Sequence, residues 1–103
     1  MREIENARIT KTWLGYEDHG IMTSYITLNY GGSGQSFGGW CIGGSYMDVW
    51  VRGVLKVLNK RKWEEIIGEY VQADHDKGKV YGIRSILGGE WFYPEEEFKK
   101  VKE

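Results

Sequence analysis

The sequence predicts an α+β domain in which one main helix packs on an antiparallel β-sheet. Three observations lead to this prediction. Two strand-like segments separated by a turn open the chain, an amphipathic helical segment follows a glycine-rich stretch, and further strand-like segments come after it. The 103 residues are enough for one compact domain and too few for two of ordinary size, so we expect a single domain over residues 1–103.

The first two segments predict a β-hairpin. Residues 4–14 alternate in part between apolar and polar side chains, and residues 21–30 are rich in β-branched and aromatic types. Residues 17–20 between them have the composition of a turn. Seven of the 15 glycines lie in residues 31–44, where we expect a loop and then a short strand over residues 36–42.

The main helix is predicted over about residues 46–59. Apolar side chains recur there at the i, i+3, i+4 spacing of one helical face. They are Met47, Trp50, Val51, Val54, Leu55 and Leu58. Ser45 followed by Asp48 is typical of a capping box at the start of a helix. Residues 63–67 predict one more helical turn, which ends at Gly68.

The segments after the helix predict two strands, a short aromatic strand and a short C-terminal helix. Their expected bounds are 70–73, 79–86, 91–93 and 95–102. Residues 74–78 have turn chemistry, so we expect the side chain of His75 to be exposed. Pro94 suits the first position of the last helix.

Composition excludes several classes of protein. Fourteen Lys and Arg against 15 Asp and Glu give a net charge of −1, so the overall charge of the protein does not attract a nucleic-acid polymer or an anionic membrane. No apolar run is long enough to predict a membrane-spanning helix. Cys41 is the only cysteine, which rules out an internal disulfide framework. We expect a small soluble intracellular protein.

The catalytic residue types form no recognisable set. His19 and His75 both fall in predicted charged turns, and Cys41 in the neutral glycine-rich segment suits a small buried filler. The acidic runs at residues 64–65 and 95–97 lie at predicted helix starts, where they complement the helix dipole. We therefore expect a protein that is not an enzyme and that has no metal site and no cofactor.

The glycine-rich segment is the first candidate binding site. No lysine lies there, so it is not a P-loop, and Phe37 stands where a dinucleotide fingerprint needs its third glycine. Gln35 and Ser36 are nevertheless donors, and Phe37 and Trp40 are stacking faces, of the kind a nucleotide site uses. A flexible hairpin connection is an equally good interpretation. Gly38 and Gly39 are expected to allow backbone geometry that a β-carbon would block.

The second candidate lies near the C-terminus. Arg84 can offer a bidentate fork to a phosphate, and Trp91 and Phe92 can stack on a base. For any single one of these aromatics, packing in the core or in a dimer interface is the more common role. The five Trp and seven Tyr exceed what so small an interior usually holds, so we also expect a homo-oligomer.

Three motifs resemble the phage Thoeris anti-defence sponge family, of the first type described. They are Trp-Leu-Gly-Tyr-Glu-Asp-His-Gly at residues 13–20, Gly-Gln-Ser-Phe-Gly-Gly-Trp at 34–40, and Gly-Ile-Arg-Ser-Ile-Leu at 82–87 followed by a Trp-Phe pair. The resemblance covers most of the chain and is weakest over residues 42–60.

The resemblance implies a homodimer or hexamer made by a phage in the cytoplasm of its bacterial host. Such a protein holds a cyclic ADP-ribose isomer between two protomers without cleaving it, and thereby blocks Thoeris immunity. Some family members also hold cyclic oligonucleotides at a second site. Two other classes stay open: a nucleotide-degrading enzyme, and a protein–protein inhibitor with no small-molecule ligand.

For such a ligand we expect Arg84 to pair with the diphosphate, with help from Gln35 and Ser36. The expected aromatic contacts come from Phe37, Trp40, Trp91 and Phe92. This assignment requires the glycine-rich segment and the strand of Arg84 to converge, within one chain or across a dimer.

Overall fold

All the strands of the computed structural model belong to one antiparallel sheet. The structure describes residues 1–41 and 44–101, and for Trp40 and Cys41 it describes the backbone alone. The strands are β1 (Glu3–Tyr16), β2 (Met22–Asn29), β3 (Gly34–Cys41), β4 (Tyr70–Asp76) and β5 (Lys79–Ser85). Their order across the sheet is β3-β2-β1-β4-β5. The helices are α1 (Ser45–Leu58) and α2 (Pro94–Phe98), with a 3₁₀ turn at Trp63–Glu65. The predicted α+β class, hairpin and main helix are thus confirmed.

The long first strand joins the two halves of the sheet. Its second half pairs with β2 and its first half pairs with β4, with an irregularity in register between Ile9 and Lys11. Ala7 and Ile9 on β1, with Ile26 and Leu28 on β2, point into the core at the strand period of two. β1 is therefore the central strand of the sheet.

α1 packs its apolar face on the sheet through Trp50. The Trp50 ring lies 5.0 Å from the Phe37 ring and 6.1 Å from the Phe92 ring, centroid to centroid. Its indole Nε1 donates a hydrogen bond to Ser24 Oγ at 2.9 Å, so the buried polar atom is satisfied. Gly38 allows this close packing, since a β-carbon there would lie 2.8 Å from the Ser24 carbonyl oxygen.

The sheet curls until its two edge regions meet at one end. Gln35, near the start of β3, donates a hydrogen bond from Nε2 to the carbonyl oxygen of Asp76 at 2.7 Å. Asp76 ends β4, which is separated from β3 by two strands in the sheet order. The curl therefore brings the start of β3 next to the β4–β5 turn, and this contact creates the larger of the clefts described below.

The helix ends differ from the prediction. Gly44, with φ 59°, occupies the N-cap of α1, and no side chain of the described residues caps this end, so the predicted Ser45 capping box is wrong. Asp48 instead pairs with Arg52 one turn along the helix, at 2.7 Å. The C-terminal helix ends at Phe98 among the described residues; residue 102, its expected end, lies outside them.

Three strand predictions also need correction. β3 begins at Gly34, two residues before the predicted start, and Ile42, its expected end, lies outside the described residues. β4 continues to Asp76, so most of the predicted 74–78 turn is strand. Residues 91–93 form a single bridge, Ile83 to Phe92, in place of a strand. No helix in the described ranges is long and apolar enough to cross a membrane.

Candidate ligand-binding surfaces

The seven predicted site residues are divided between the core and two separate surfaces. Gln35 lies beside the β4–β5 turn, at the start of β3. Arg84 lies near the end of β5, five residues beyond Lys79, which adjoins the same turn. At about 3.3 Å per residue the two ends of that stretch are about 16 Å apart. Gln35 and Arg84 therefore lie far apart within one protomer, although β3 and β5 contact each other and Phe37 and Phe92 both lie against Trp50.

Two of the predicted aromatic contacts belong to the core. Phe37 is 0% exposed and Phe92 is 4% exposed, and both rings contact the buried Trp50. These rings fill the space between α1 and the sheet, so the expectation that they face a ligand needs correction. Ser36 is exposed on β3, and the side chain of Trp40 lies outside the described residues.

Arg84 and Trp91 do form a pair, which we call the Arg84–Trp91 surface. The guanidinium carbon of Arg84 lies 4.7 Å from the centroid of the Trp91 ring. Its Nε donates to Gln72 Oε1 at 2.7 Å, and Gln72 is its register partner on β4. Within residues 1–41 and 44–101 no carboxylate forms an ion pair with Arg84, although it is only partly exposed. Its terminal N–H groups are thus held in place with their charge unneutralised.

A shallow cleft of about 320 Å³ adjoins Trp91 on the side of α1. Arg52 and Lys56 of α1 contribute cations to its wall. Each is already paired with an acid: Arg52 with Asp48 at 2.7 Å and Lys56 with Glu90 at 3.6 Å. The cations of this cleft are therefore offset by acids, whereas Arg84, which contacts Trp91 but does not line the cleft, has no acidic partner among the described residues.

The larger cleft, about 680 Å³, lies where the sheet curls, and we call it the sheet-end cleft. Its wall includes Glu3, Tyr30, Gln35, His75, Asp76 and Lys77. The Tyr30 ring stacks on the His75 ring with centroids 4.4 Å apart and planes 18° apart. The Tyr30 hydroxyl donates to Gln35 Oε1 at 2.6 Å. Burial, together with the nearby charge of Glu5, raises the pKa of Tyr30 to about 12. Both the oxygen and the nitrogen of the Gln35 amide are thus already hydrogen-bonded, to the Tyr30 hydroxyl and to the Asp76 carbonyl oxygen.

The buried carboxylate of Asp74 stabilises the fold through hydrogen bonds. Asp74 is 7% exposed and accepts hydrogen bonds from Arg2 Nε at 3.0 Å and Arg2 Nη2 at 2.6 Å. The Tyr93 hydroxyl donates to the same carboxylate at 2.7 Å. The hydrogen bond from Arg2 is the main cause that holds the pKa of Asp74 below its usual range. These contacts tie Arg2, just before β1, and Tyr93, just before α2, to β4.

His75 is the polar residue that sequence reasoning misplaced. It is 8% exposed, on β4, and its Nε2 lies 2.9 Å from Glu5 Oε1. A signal was present in the sequence: His75 follows Val71 and Ala73 at the strand period of two, and both are buried. The turn-forming residues around it concealed this pattern.

No protein-family model matches the chain, and no curated protein or solved structure matches it either.

Proposed function

We propose that this protein binds and sequesters a cyclic ADP-ribose-type signalling nucleotide without cleaving it, and so blocks the activation of bacterial Thoeris immunity. The observation that supports this proposal is the Arg84–Trp91 surface, where a half-buried guanidinium without a carboxylate partner lies against an indole ring. The motif resemblance described above supplies the ligand class.

The chemistry of this surface suits a diphosphate. Arginine offers paired N–H groups whose geometry matches two phosphate oxygens, and such charge-assisted bonds are among the strongest hydrogen bonds in proteins. Gln72 and Trp91 hold the guanidinium in one orientation before a ligand arrives. This reduces the entropy lost on binding. The Trp91 ring also stacks near Tyr93, with centroids 5.7 Å apart, so an extended aromatic wall lies beside the cation.

The proposed assembly is a homodimer or larger homo-oligomer in which a second protomer covers this surface. Leu87, three residues after Arg84, is 93% exposed and is available to pack against a partner. Light scattering at micromolar concentration should give at least twice the monomer mass of 11.9 kDa. A strictly monomeric mass would contradict the proposed assembly.

Capture and release test the sequestration directly. The purified protein is incubated with extract from Thoeris-activated cells, separated from unbound small molecules, and heated to denature it. Mass analysis should then find an intact cyclic ADP-ribose isomer in the released fraction.

The other outcomes separate the competing classes. Loss of the nucleotide with appearance of a linear product would favour a degrading enzyme. Recovery of the nucleotide entirely in the unbound fraction, with the protein folded, would favour a protein–protein inhibitor. Either result would refute sequestration.

A further inference from the structure

Glu3, Glu5 and His75 bring three potential metal-ligand atoms together at the sheet-end cleft. One carboxylate oxygen from each glutamate and one imidazole nitrogen all lie within 4.8 Å of one another. In the β1–β4 register Glu3 stands opposite His75, and Glu5 follows two residues along β1 on the same face of the sheet. Two hydrogen-bonded strands therefore set the relative positions of the three side chains.

We propose that Glu3, Glu5 and His75 form a binding site for a divalent transition-metal ion of the Zn²⁺ type. One imidazole with two carboxylates is a ligand set that suits Zn²⁺ better than the harder Mg²⁺ or Ca²⁺, which favour oxygen ligands alone. This proposal does not depend on the proposed nucleotide binding, since none of its three ligands is a residue assigned to the nucleotide site, although Gln35 lines the same cleft.

The spacing fits a single ion once the side chains adjust, since the three ligand atoms lie within 4.8 Å of one another and Glu3 is free to move towards the other two. Zn²⁺ binds nitrogen and oxygen ligands at about 2.0–2.2 Å, which puts tetrahedral ligand atoms about 3.3–3.6 Å apart. His75 Nε2 and Glu5 Oε1 are 2.9 Å apart, so they need to separate by only a few tenths of an ångström. Glu3 is exposed and makes no side-chain hydrogen bond or ion pair in the described part of the chain, so it is available to complete the set.

The His75 ring is held in place beside the two glutamates. It is 8% exposed and stacks on the Tyr30 ring with centroids 4.4 Å apart, so its orientation is set before an ion binds at Nε2. Nδ1, the other ring nitrogen, is buried and has no hydrogen-bond partner among the residues that the structure describes. Binding at Nε2 leaves Nδ1 as an N–H donor, for which a buried water is the remaining partner.

The surroundings give an ion access, and acidic side chains outnumber the one lysine, Lys77, on the described wall of the cleft. Glu3 and His75 line the open sheet-end cleft, so a hydrated ion can reach them and keep water in a remaining coordination position. Arg2, the nearest arginine in sequence, pairs with Asp74. Among the described residues neither glutamate forms an ion pair with a lysine or arginine. The two carboxylates therefore remain available to a cation.

The test is titration of the metal-free, tag-free protein with ZnCl₂ by calorimetry. We expect one Zn²⁺ per chain, with the ring ¹⁵N resonance of His75 Nε2 shifting on saturation. Removing a group that only supports a metal ligand typically weakens metal binding 10–100-fold. Glu3 and Glu5 are proposed as direct ligands, so Glu3→Gln and Glu5→Gln should each weaken Zn²⁺ binding by about 10-fold or more. Both positions are accessible to solvent on β1, and circular dichroism checks that the variants are folded.

His19→Ala is the matched control. His19 is the other histidine of the chain and also lies beside a glutamate, with Nδ1 3.3 Å from Glu17 Oε2, but it is exposed and no second carboxylate completes a cluster in the described ranges. Zn²⁺ affinity should be unchanged in this variant. The proposal is overturned by an absence of saturable Zn²⁺ binding, by binding that persists at full strength in both glutamine variants, or by binding that leaves the His75 ring resonances unmoved.

Discussion

Replacing Arg84 with alanine is the most direct perturbation of the proposed nucleotide site. The substitution removes a guanidinium that lies against Trp91 and that has no carboxylate partner among the described residues. Losing a buried charge-assisted contact of this kind typically costs about 2–5 kcal/mol of binding free energy. Since each 1.4 kcal/mol corresponds to about tenfold, we expect Arg84→Ala to bind a cyclic ADP-ribose isomer about 30-fold more weakly, or worse.

The same substitution should leave the protein folded. It removes one hydrogen bond, from Nε to Gln72, worth about 0.5–1.5 kcal/mol, and one cation–π contact worth about 0.5–1 kcal/mol at a partly exposed site. The expected loss of about 1–2.5 kcal/mol is smaller than the stability of a typical small domain. Urea unfolding of the variant measures this loss separately from the loss of binding.

The assay is calorimetric titration with the purified cyclic nucleotide, with two further variants for comparison. Arg84→Lys keeps the charge but loses the paired N–H groups, so its affinity should fall between those of the parent and the alanine variant. Arg61→Ala removes an exposed arginine from the segment after α1 and should bind as the parent does. Unchanged affinity in a folded Arg84→Ala protein, or an equal loss in Arg61→Ala, would refute the assignment of Arg84.

Two further predictions concern stability. Asp74→Asn should lower the free energy of unfolding by about 1–3 kcal/mol, since it breaks the ion pair with the half-exposed Arg2, and urea unfolding measures the loss. Because the pKa of Asp74 is depressed in the fold, its contribution is complete above the unfolded value of about 3.9 and disappears as pH falls through the folded pKa. Gly38→Val should lower the free energy of unfolding by about 2–6 kcal/mol, because φ is 103° there and a β-carbon would clash with Ser24 and Trp50. Gly39→Val should lower it by only about 1–3 kcal/mol, because φ is 86° but a β-carbon would have open space around it. Equal unfolding free energies for the two valine variants would contradict this explanation.

The sequence by itself determined the main elements of the fold. The i, i+3, i+4 spacing of Trp50, Val54 and Leu58 predicted α1, and these are its three buried residues. The β-branched run of residues 21–30 likewise predicted β2. These patterns can be read from the sequence because the periods of helices and strands depend on the backbone geometry of neighbouring residues.

The burial of individual polar and aromatic residues was decided only by the tertiary structure. Alternation along a strand assigns residues to two faces, but it does not say which face the helix will cover. Phe37 and Phe92 therefore suited a ligand surface in the sequence and lie against Trp50 in the fold. The Ser45 prediction was wrong for a related reason, since the backbone at Gly44 sets how the chain enters α1.

The sites themselves depend on contacts between residues far apart in sequence. Glu5 and His75 are 70 positions apart, and Gln35 and Asp76 are 41 apart, yet each pair is in contact. Gln35 and Arg84, which a single ligand was expected to join, lie at the start of β3 and near the end of β5. Local composition could name the residues with the right chemistry. Strand pairing and the curl of the sheet determined which of them meet, because those depend on the register of the whole chain and on the packing of α1 against it.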